Sequence, residues 1–380
     1  MRDSWAKTGL GEIVEVLDRM RRPISGAERA KRLGGVPYYG ANGQAGWINE
    51  SMFNEDLVLL GEDAIDFLNP LARKAYLISG PSWVNNHAHV LRPIEGKTRP
   101  YFLTELLNMV DYSQFVSFGT RSKLTQKAML DISVNLPSLV DQDRIVDILV
   151  SVDTYIAALQ QQAAESRTAR NAVLHELLSA VGDDWTGTTL GELVNIQKGK
   201  KPPLLGDNTT TGQPYLTADV LRGSAPSQFV PQSALAACVQ LQGNETILLW
   251  DGAGAGDVFR STAGVLASTM AKLAIKQISL IGADYLYLVV VDASPEIKSS
   301  CRGTTVPHVS PGALTALSLA LPPLSEQQRI VGIVSAMDDV VSATEKAVSN
   351  AHGLRAGLIS DLLSGDHEIP ESYDRLLGAA

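Results

Sequence analysis

The chain repeats itself once, and that repeat constrains how every local pattern in it can be read. Trp5 with Leu10-Gly11-Glu12-Ile13 recurs as Trp185 with Leu190-Gly191-Glu192-Leu193. Pro37-Tyr38 returns as Pro214-Tyr215, Leu57-Val58-Leu59-Leu60 as Thr246-Ile247-Leu248-Leu249, and Phe118-Gly119-Thr120 as Arg302-Gly303-Thr304. From Leu136-Pro137 onward the offset settles at the separation of Leu177 from Leu362 and stays there through Ser179 and Ser364. About fourteen of the forty-five positions in that stretch are identical without a gap, too many for shared helical composition alone. Two copies this long imply a duplicated module with pseudo-two-fold symmetry and not a solenoid of short repeats.

Each copy changes character partway along. The first two-thirds has short apolar runs broken by Gly, Pro and Asn, such as Val36-Pro37-Tyr38-Tyr39-Gly40, and reads as strands and loops with occasional helix. The last third reads as one long helix. In the first copy Val152, Ile156, Leu159, Ala163, Ser166, Arg170, Val173 and Leu177 fall at alternating four and three spacing. In the second copy the same seam is Met337, Val341, Thr344, Val348, Ala351, Arg355, Leu358 and Leu362. Such spacing argues for coiled-coil packing of helix on helix, antiparallel if the duplication is two-fold symmetric. Arg170 and Arg355 then lie within the seam, where they either fix its register or reach out to its edge. Ser325 and Gln328 have capping-box spacing at the start of the second helix, and Gly182 and Gly365 mark the exits. A helix of roughly 40 residues reaches about 60 Å.

Composition removes several classes. With 45% hydrophobic and 19% charged residues, the chain is foldable and not disordered. Its net charge of −9 excludes a uniformly basic nucleic-acid coat but leaves room for local basic patches. Cys238 and Cys301 are too few for a disulfide scaffold or a Cys-only zinc site, and suggest reduced thiols in a cytoplasm. No apolar signal core comes after Met1, and the longest apolar stretch, residues 279–291, is too short to span a bilayer and contains Asp284.

Candidate chemistry is sparse. The loop Trp250-Asp251-Gly252-Ala253-Gly254-Ala255-Gly256-Asp257 superficially fits a nucleotide or S-adenosylmethionine turn. The next residues, Val258-Phe259-Arg260-Ser261, make a poor helix start, and the first copy has Gly61-Glu62-Asp63-Ala64 in place of the loop. A tight surface loop is therefore the better reading, and no cofactor is expected. His87 and His89 share one face of an expected strand, a spacing open to a metal, yet no third ligand accompanies them and no metal is expected. No paired catalytic constellation appears, which points away from an enzyme. Basic clusters recur in place: Arg19, Arg21 and Arg22 come after the first Leu-Gly-Glu, and Lys198, Lys200 and Lys201 after the second. A third cluster is Arg121, Lys123 and Lys127. Such cations suit phosphate contact, while Tyr39, Asn42 and Gln44 could read base edges. Solvated surface charge is the bland alternative for each cluster.

With these residues in view, the sequence resembles the DNA-specificity (S) subunit of type I restriction–modification systems. The most specific marks are the twice-occurring Leu-Pro-x-Leu-x-x-Gln-x-Arg-Ile-Val (residues 136–146 and 321–331) and the helix after each, ending in Leu-Leu-Ser. Tyr38-Tyr39-Gly40-Ala41-Asn42-Gly43, Val58-Leu59-Leu60-Gly61-Glu62-Asp63, Asn86-His87-Ala88-His89 and Leu249-Trp250-Asp251-Gly252-Ala253 also look like segments of that family's target-recognition domains. The resemblance implies an α+β fold in which two pseudo-symmetric globular target-recognition domains are separated by two long antiparallel coiled-coil spacer helices. The expected division is residues 1–135 for the first domain, 136–182 for the first spacer, 183–320 for the second domain, 321–366 for the second spacer and 367–380 for a tail.

It further implies a non-catalytic role in phage defence. On that resemblance each domain would read one half of a bipartite site in double-stranded DNA, with the spacers setting the gap. The spacers would also dock DNA methyltransferase (modification) subunits, two being expected, and a restriction subunit could join them. The weak second-copy match to the Tyr-Gly-Ala-Asn segment, Tyr215-Leu216-Thr217-Ala218, leaves open which loops touch bases. The alternative is an interaction scaffold or regulator that binds a methyltransferase without reading DNA itself.

Overall fold

The computed structural model describes residues 5–70, 72–117, 122–205, 212–303, 306–365, 369, 370 and 373. The chain forms two compact units, one of residues 1–159 and 347–380 and the other of residues 160–346. The fold is α+β, and the two units share one topology in their two four-stranded sheets and in the ribbon that leads into each long helix, the first unit adding a short pair, Val116–Ser117 with Lys123–Leu124.

In the first unit an antiparallel sheet is ordered Val14–Val16, Ala88–Pro93, Leu57–Gly61, Ala75–Ile78. The period-two alternation of its central strand decides what each face meets. Val58 and Leu60 join a core with the helix Pro100–Met109, through Phe102, Leu103 and Leu107. Leu57 and Leu59 face the other way, toward Phe53 and Val84 of a second sheet. That outer sheet is ordered Gly43–Ile48, Val36–Gly40, Pro81–Val84, Phe53–Asn54, and its central pair is parallel. A two-stranded ribbon, Ala6–Gly9 with Ser133–Leu136, leads into the long helix.

The second unit repeats the plan. Its inner sheet is Val194–Lys198, Met270–Ile275, Thr246–Leu249, Val258–Arg260, and its outer sheet is Phe229–Pro231, Gly212–Leu216, Ala263–Leu266, Gln240–Gln242, again with a parallel central pair. Leu248 and Trp250 pack with the helix Ala283–Asp292, while Ile247 and Leu249 pack with the outer sheet.

Two helices of 41 residues, Leu139–Ser179 and Leu324–Ser364, are each divided between the units. The first unit holds the start of one and the end of the other: Ile145 and Leu149 share its core with Ile359, Leu362 and Leu363. In the second unit the corresponding core contacts come from Leu174, Ile330 and Val334. There the halves run antiparallel, since Arg167 pairs with Glu345 while Arg170, further on, pairs back with Asp338. Val152, Leu159, Val173, Leu177, Met337, Val341, Val348 and Leu358 are half-buried, and Ile156, Ala163, Ala351 and Leu362 are buried.

The helix ends differ in one respect from the sequence expectation. Ser325 does not cap the second helix; it lies inside the first turn, and the Pro323 carbonyl takes the amides of Glu326 and Gln327. The capping serine belongs to the first helix, where Ser138 Oγ accepts from the Asp141 amide at 3.2 Å. At the far end Gly365 adopts φ +76°, the left-handed conformation that closes a helix at little cost to glycine. Gly182 lies beyond the helix end at Ser179.

Candidate nucleic-acid interface

Two polar arrangements brace the long helices, and each occurs twice. In the first, Gln142, fully buried, accepts from the Arg99 amide at 2.9 Å and donates to the carbonyls of Lys97 and Pro137. Gln327 accepts from the Gly282 amide at 2.9 Å and donates to the carbonyls of Leu280 and Pro322. The glutamine of the repeated motif therefore clamps the loop before each short helix to the start of each long one.

The second arrangement is ionic. Arg170, 8% exposed, binds Asp338 at 2.8 Å, and Arg355 binds Asp153. Arg170 and Arg355 are repeat equivalents, as are Asp153 and Asp338. Each copy's arginine thus binds the other copy's aspartate, the reciprocity that a two-fold repeat demands. Burial pushes the Asp153 carboxyl up, but hydrogen bonds from Arg355 and Tyr101 outweigh it and hold the group below its ordinary value. Burial and the Asp153 hydrogen bond push Tyr101 up to about 12.

The two joints then differ. Arg355 also reaches buried Glu105 at 3.1 Å and Tyr101 at 3.2 Å on the helix Pro100–Met109. The matching positions on Ala283–Asp292 are Leu288 and Asp284, and here a cleft of about 310 Å³ lies between them, Ser335 and Asp338.

The sequence-derived DNA candidates separate into free and engaged groups. Arg19 and Arg22 are exposed, and no carboxylate meets them among the described residues. Arg21 is turned inward, bonded to Glu62 at 2.7 Å, to Asp18 at 3.3 Å and to the Ala88 carbonyl at 2.8 Å. Lys123 binds the same Glu62 at 2.9 Å, and Arg121 lies outside the described residues. Tyr39 is half-buried with its ring 6.0 Å from Tyr76. Asn42, exposed at a hairpin tip, donates to the Ala64 carbonyl at 3.1 Å, and Gln44 donates to the Gly46 carbonyl at 3.3 Å. Lys198 is bound to Asp251 at 2.8 Å, whereas Lys200 and Lys201 have no such partner among the described residues.

Sequence reasoning misses Arg29, Lys31, Arg32 and Trp47, which belong to the same unit as the first basic cluster. Arg29 stacks over Tyr38 at 4.5 Å and Arg32 over Trp83 at 5.0 Å. Trp47 is 52% exposed on the edge strand of the outer sheet. The cations at 29, 31 and 32 are visible in the sequence, but their common surface depends on how residues 22–33 cross the sheet.

The two histidines part company. His87 precedes its strand and meets Asp63 at 2.7 Å on the surface. His89 is buried between Asp18 at 2.6 Å and the Leu124 carbonyl at 2.9 Å. Ligand atoms of Asp18, Glu62 and His89 fall within 4.8 Å of one another, a spacing open to a metal. Arg21 and Lys123 already neutralise these carboxylates, and although burial raises Glu62, their hydrogen bonds bring it below its ordinary value. The donor set therefore fits an internal ion-pair cluster better than a cation site. The glycine-rich loop joins two antiparallel strands, so no helix follows it in the chain. Its Asp257 is bound by Arg222 at 2.6 Å and Lys298 at 2.7 Å, and its Gly252 takes φ +120°.

Comparison with known proteins fits this architecture. Over 185 residues, 48% of this chain, it is 32% identical to the MjaVIII type I restriction enzyme specificity subunit of Methanocaldococcus jannaschii, and the match spans 43% of that relative's length. Its fold matches the crystal structure of a type I restriction–modification S subunit from M. genitalium with a TM-score of 0.54 at 14% identity, covering 96% of this chain and 97% of that one. A chain from a structural study of type I R-M complex assembly and conformational transition matches with a TM-score of 0.59 at 16% identity, covering 97% and 99%. The profile of the type I restriction modification DNA specificity domain matches twice, over residues 2–165 and 182–351, once for each copy of the repeat, and the chain belongs to that family.

Proposed function

We propose that this chain is the non-catalytic specificity subunit of a type I restriction–modification complex, working on DNA in the cytoplasm. Each sheet unit reads one half of a bipartite duplex site, and the paired long helices set the gap between the halves. The observation that carries this reading is the reciprocal Arg170–Asp338 and Arg355–Asp153 pairing on two units of one topology. A repeated frame with two divergent sheet units suits a duplex whose two half-sites differ in sequence. Unpaired surface cations would give salt-dependent affinity, and side chains in the grooves would give sequence choice. Two modest half-site affinities multiply once the second contact becomes intramolecular.

The long helices would also dock two methyltransferase subunits, with a restriction subunit joining them. Tyr155 and Val340 support a pair of docking sites. They are repeat equivalents on the outer faces of the helices, 56% and 55% exposed. Apolar side chains held open at matching places suit two copies of one partner. The net charge of −9 favours the second reading, a scaffold that binds a methyltransferase without touching DNA.

Methylome sequencing of the host with and without the gene tests the proposal. A bipartite methylated motif that vanishes with the gene is the expected result, and an unchanged methylome rejects it. For docking, Tyr155→Glu with Val340→Glu should abolish co-purification of the methyltransferase while leaving thermal stability within about 1 kcal/mol, as for surface changes generally.

A further inference from the structure

Residues 18–32 of the first unit hold six cations and two acids in a chain whose net charge is −9. This connection crosses the face of the outer sheet that points away from the inner one. Ile24 packs there against Tyr38, Ile48 and Trp83. Hydrogen bonds to its carbonyls pin the crossing: Trp83 Nε1 donates to the Arg22 carbonyl at 2.8 Å, and the Asn49 amide donates to the Arg32 carbonyl at 2.9 Å. At Gly34 an added Cβ would lie 2.2 Å from Asn49 Cα, so only glycine permits the approach. The Arg29 guanidinium lies over the Tyr38 ring, with no carboxylate beside it among the described residues. Stacking fixes the plane of its donors before any ligand arrives, a use open to arginine and not to lysine. Arg19, Arg22 and Lys31 are equally without acidic partners among the described residues.

The corresponding connection in the second unit, residues 198–211, holds three cations and one acid in sequence. One of those cations, Lys198, is already bound to Asp251.

We propose that the strap over the outer sheet of the first unit is the main phosphate-anchoring surface of the chain, with Arg19, Arg22, Arg29 and Lys31 as its contacts, so that the two half-sites contribute unequally to affinity. This rests on the DNA-reading function proposed above and assigns it a place and an order. Pinning the strap in advance removes much of the ordering cost that a loose basic loop would meet on binding. Each phosphate contact adds about 0.9 to the slope of log K against log salt.

The test uses the full chain and a random-sequence duplex of about 30 base pairs, long enough for both half-sites to engage phosphates. Binding is followed by fluorescence anisotropy across sodium chloride concentrations. Arg19→Gln, Arg22→Gln and Lys31→Gln together should lower the slope by about 2 to 3. Among the described residues none of these side chains is paired with an acid, and an unchanged melting temperature checks the fold. Lys200→Gln with Lys201→Gln should lower the slope by less than about 1. Arg29→Lys, which keeps the charge and loses the stacked plane, should weaken binding severalfold with little change in slope. An unchanged slope in the triple variant, or an equal or larger fall in the second-unit variant, overturns the proposal. Absence of any salt-dependent duplex binding by the unaltered chain would instead reject the DNA-reading function itself.

Discussion

Gln142 shows how a residue can be conspicuous in sequence while its task stays hidden. The repeated motif singles it out, but nothing local says that its amide reaches the loop at residues 97–99. Such a contact is set by tertiary placement and leaves no periodic trace. Gln142→Leu strands one amide and two carbonyls in a buried site and should cost about 2–4 kcal/mol in a denaturant titration. Gln327→Leu should cost a similar amount. The carboxylates give a second expectation at this scale. Glu62, Asp153 and Asp257 are all held below their ordinary values by arginine and lysine partners that outweigh burial. Their contribution is therefore complete above the unfolded carboxyl value of about 4 and is lost as pH falls through the depressed values. Urea midpoints measured from neutral pH down into strong acid should fall steeply in the acid range. Glu62→Gln with Asp153→Asn should be less stable at neutral pH and show a shallower acid limb.

Among the elements, the long helices were the most legible. A four-three spacing repeated in two places, ending in Leu-Leu-Ser, forecasts two helices of about this length, and each spans 41 residues. The sequence left two fates open for Arg170 and Arg355, and the outcome is an ion pair at the seam. Asp153 and Asp338 were unreadable as partners because they lie one position off the seam, where charge normally signals only solvent. The start of the second helix misled for a related reason: Ser325 has a capping spacing, but Pro322-Pro323 comes directly after the preceding strand and supplies the capping carbonyl. Asp338→Ala leaves Arg170 buried without its acid and should cost about 1–2 kcal/mol, moderated by the solvent that reaches the aspartate. The exchange Arg170→Asp with Asp338→Arg should recover part of that loss in a double-mutant cycle.

For the whole molecule, the duplication was legible and the interface was not. Matches repeated in the same order along the chain foretold two pseudo-symmetric units, which the strand orders bear out. The surface cations look alike in the bare sequence. Arg21 and Lys198 prove to be held by acids distant in sequence, while Arg29 gains its place from Tyr38, a ring that no local pattern connects with it. Pairing of charges across long sequence separations is what composition cannot report. The asymmetry of the two joints decides how readily either unit can be exchanged. Arg355 grips Tyr101 and Glu105 as well as Asp153, so a foreign first module grafted onto these helices must bring both side chains or leave this half-buried guanidinium with Asp153 alone. The second module makes no such demand on Arg170, whose bonds stay on the long helices. Replacement of the second unit should therefore be the better tolerated transplant, and under the DNA-reading role proposed above new specificities should arise more readily at that end of the gene.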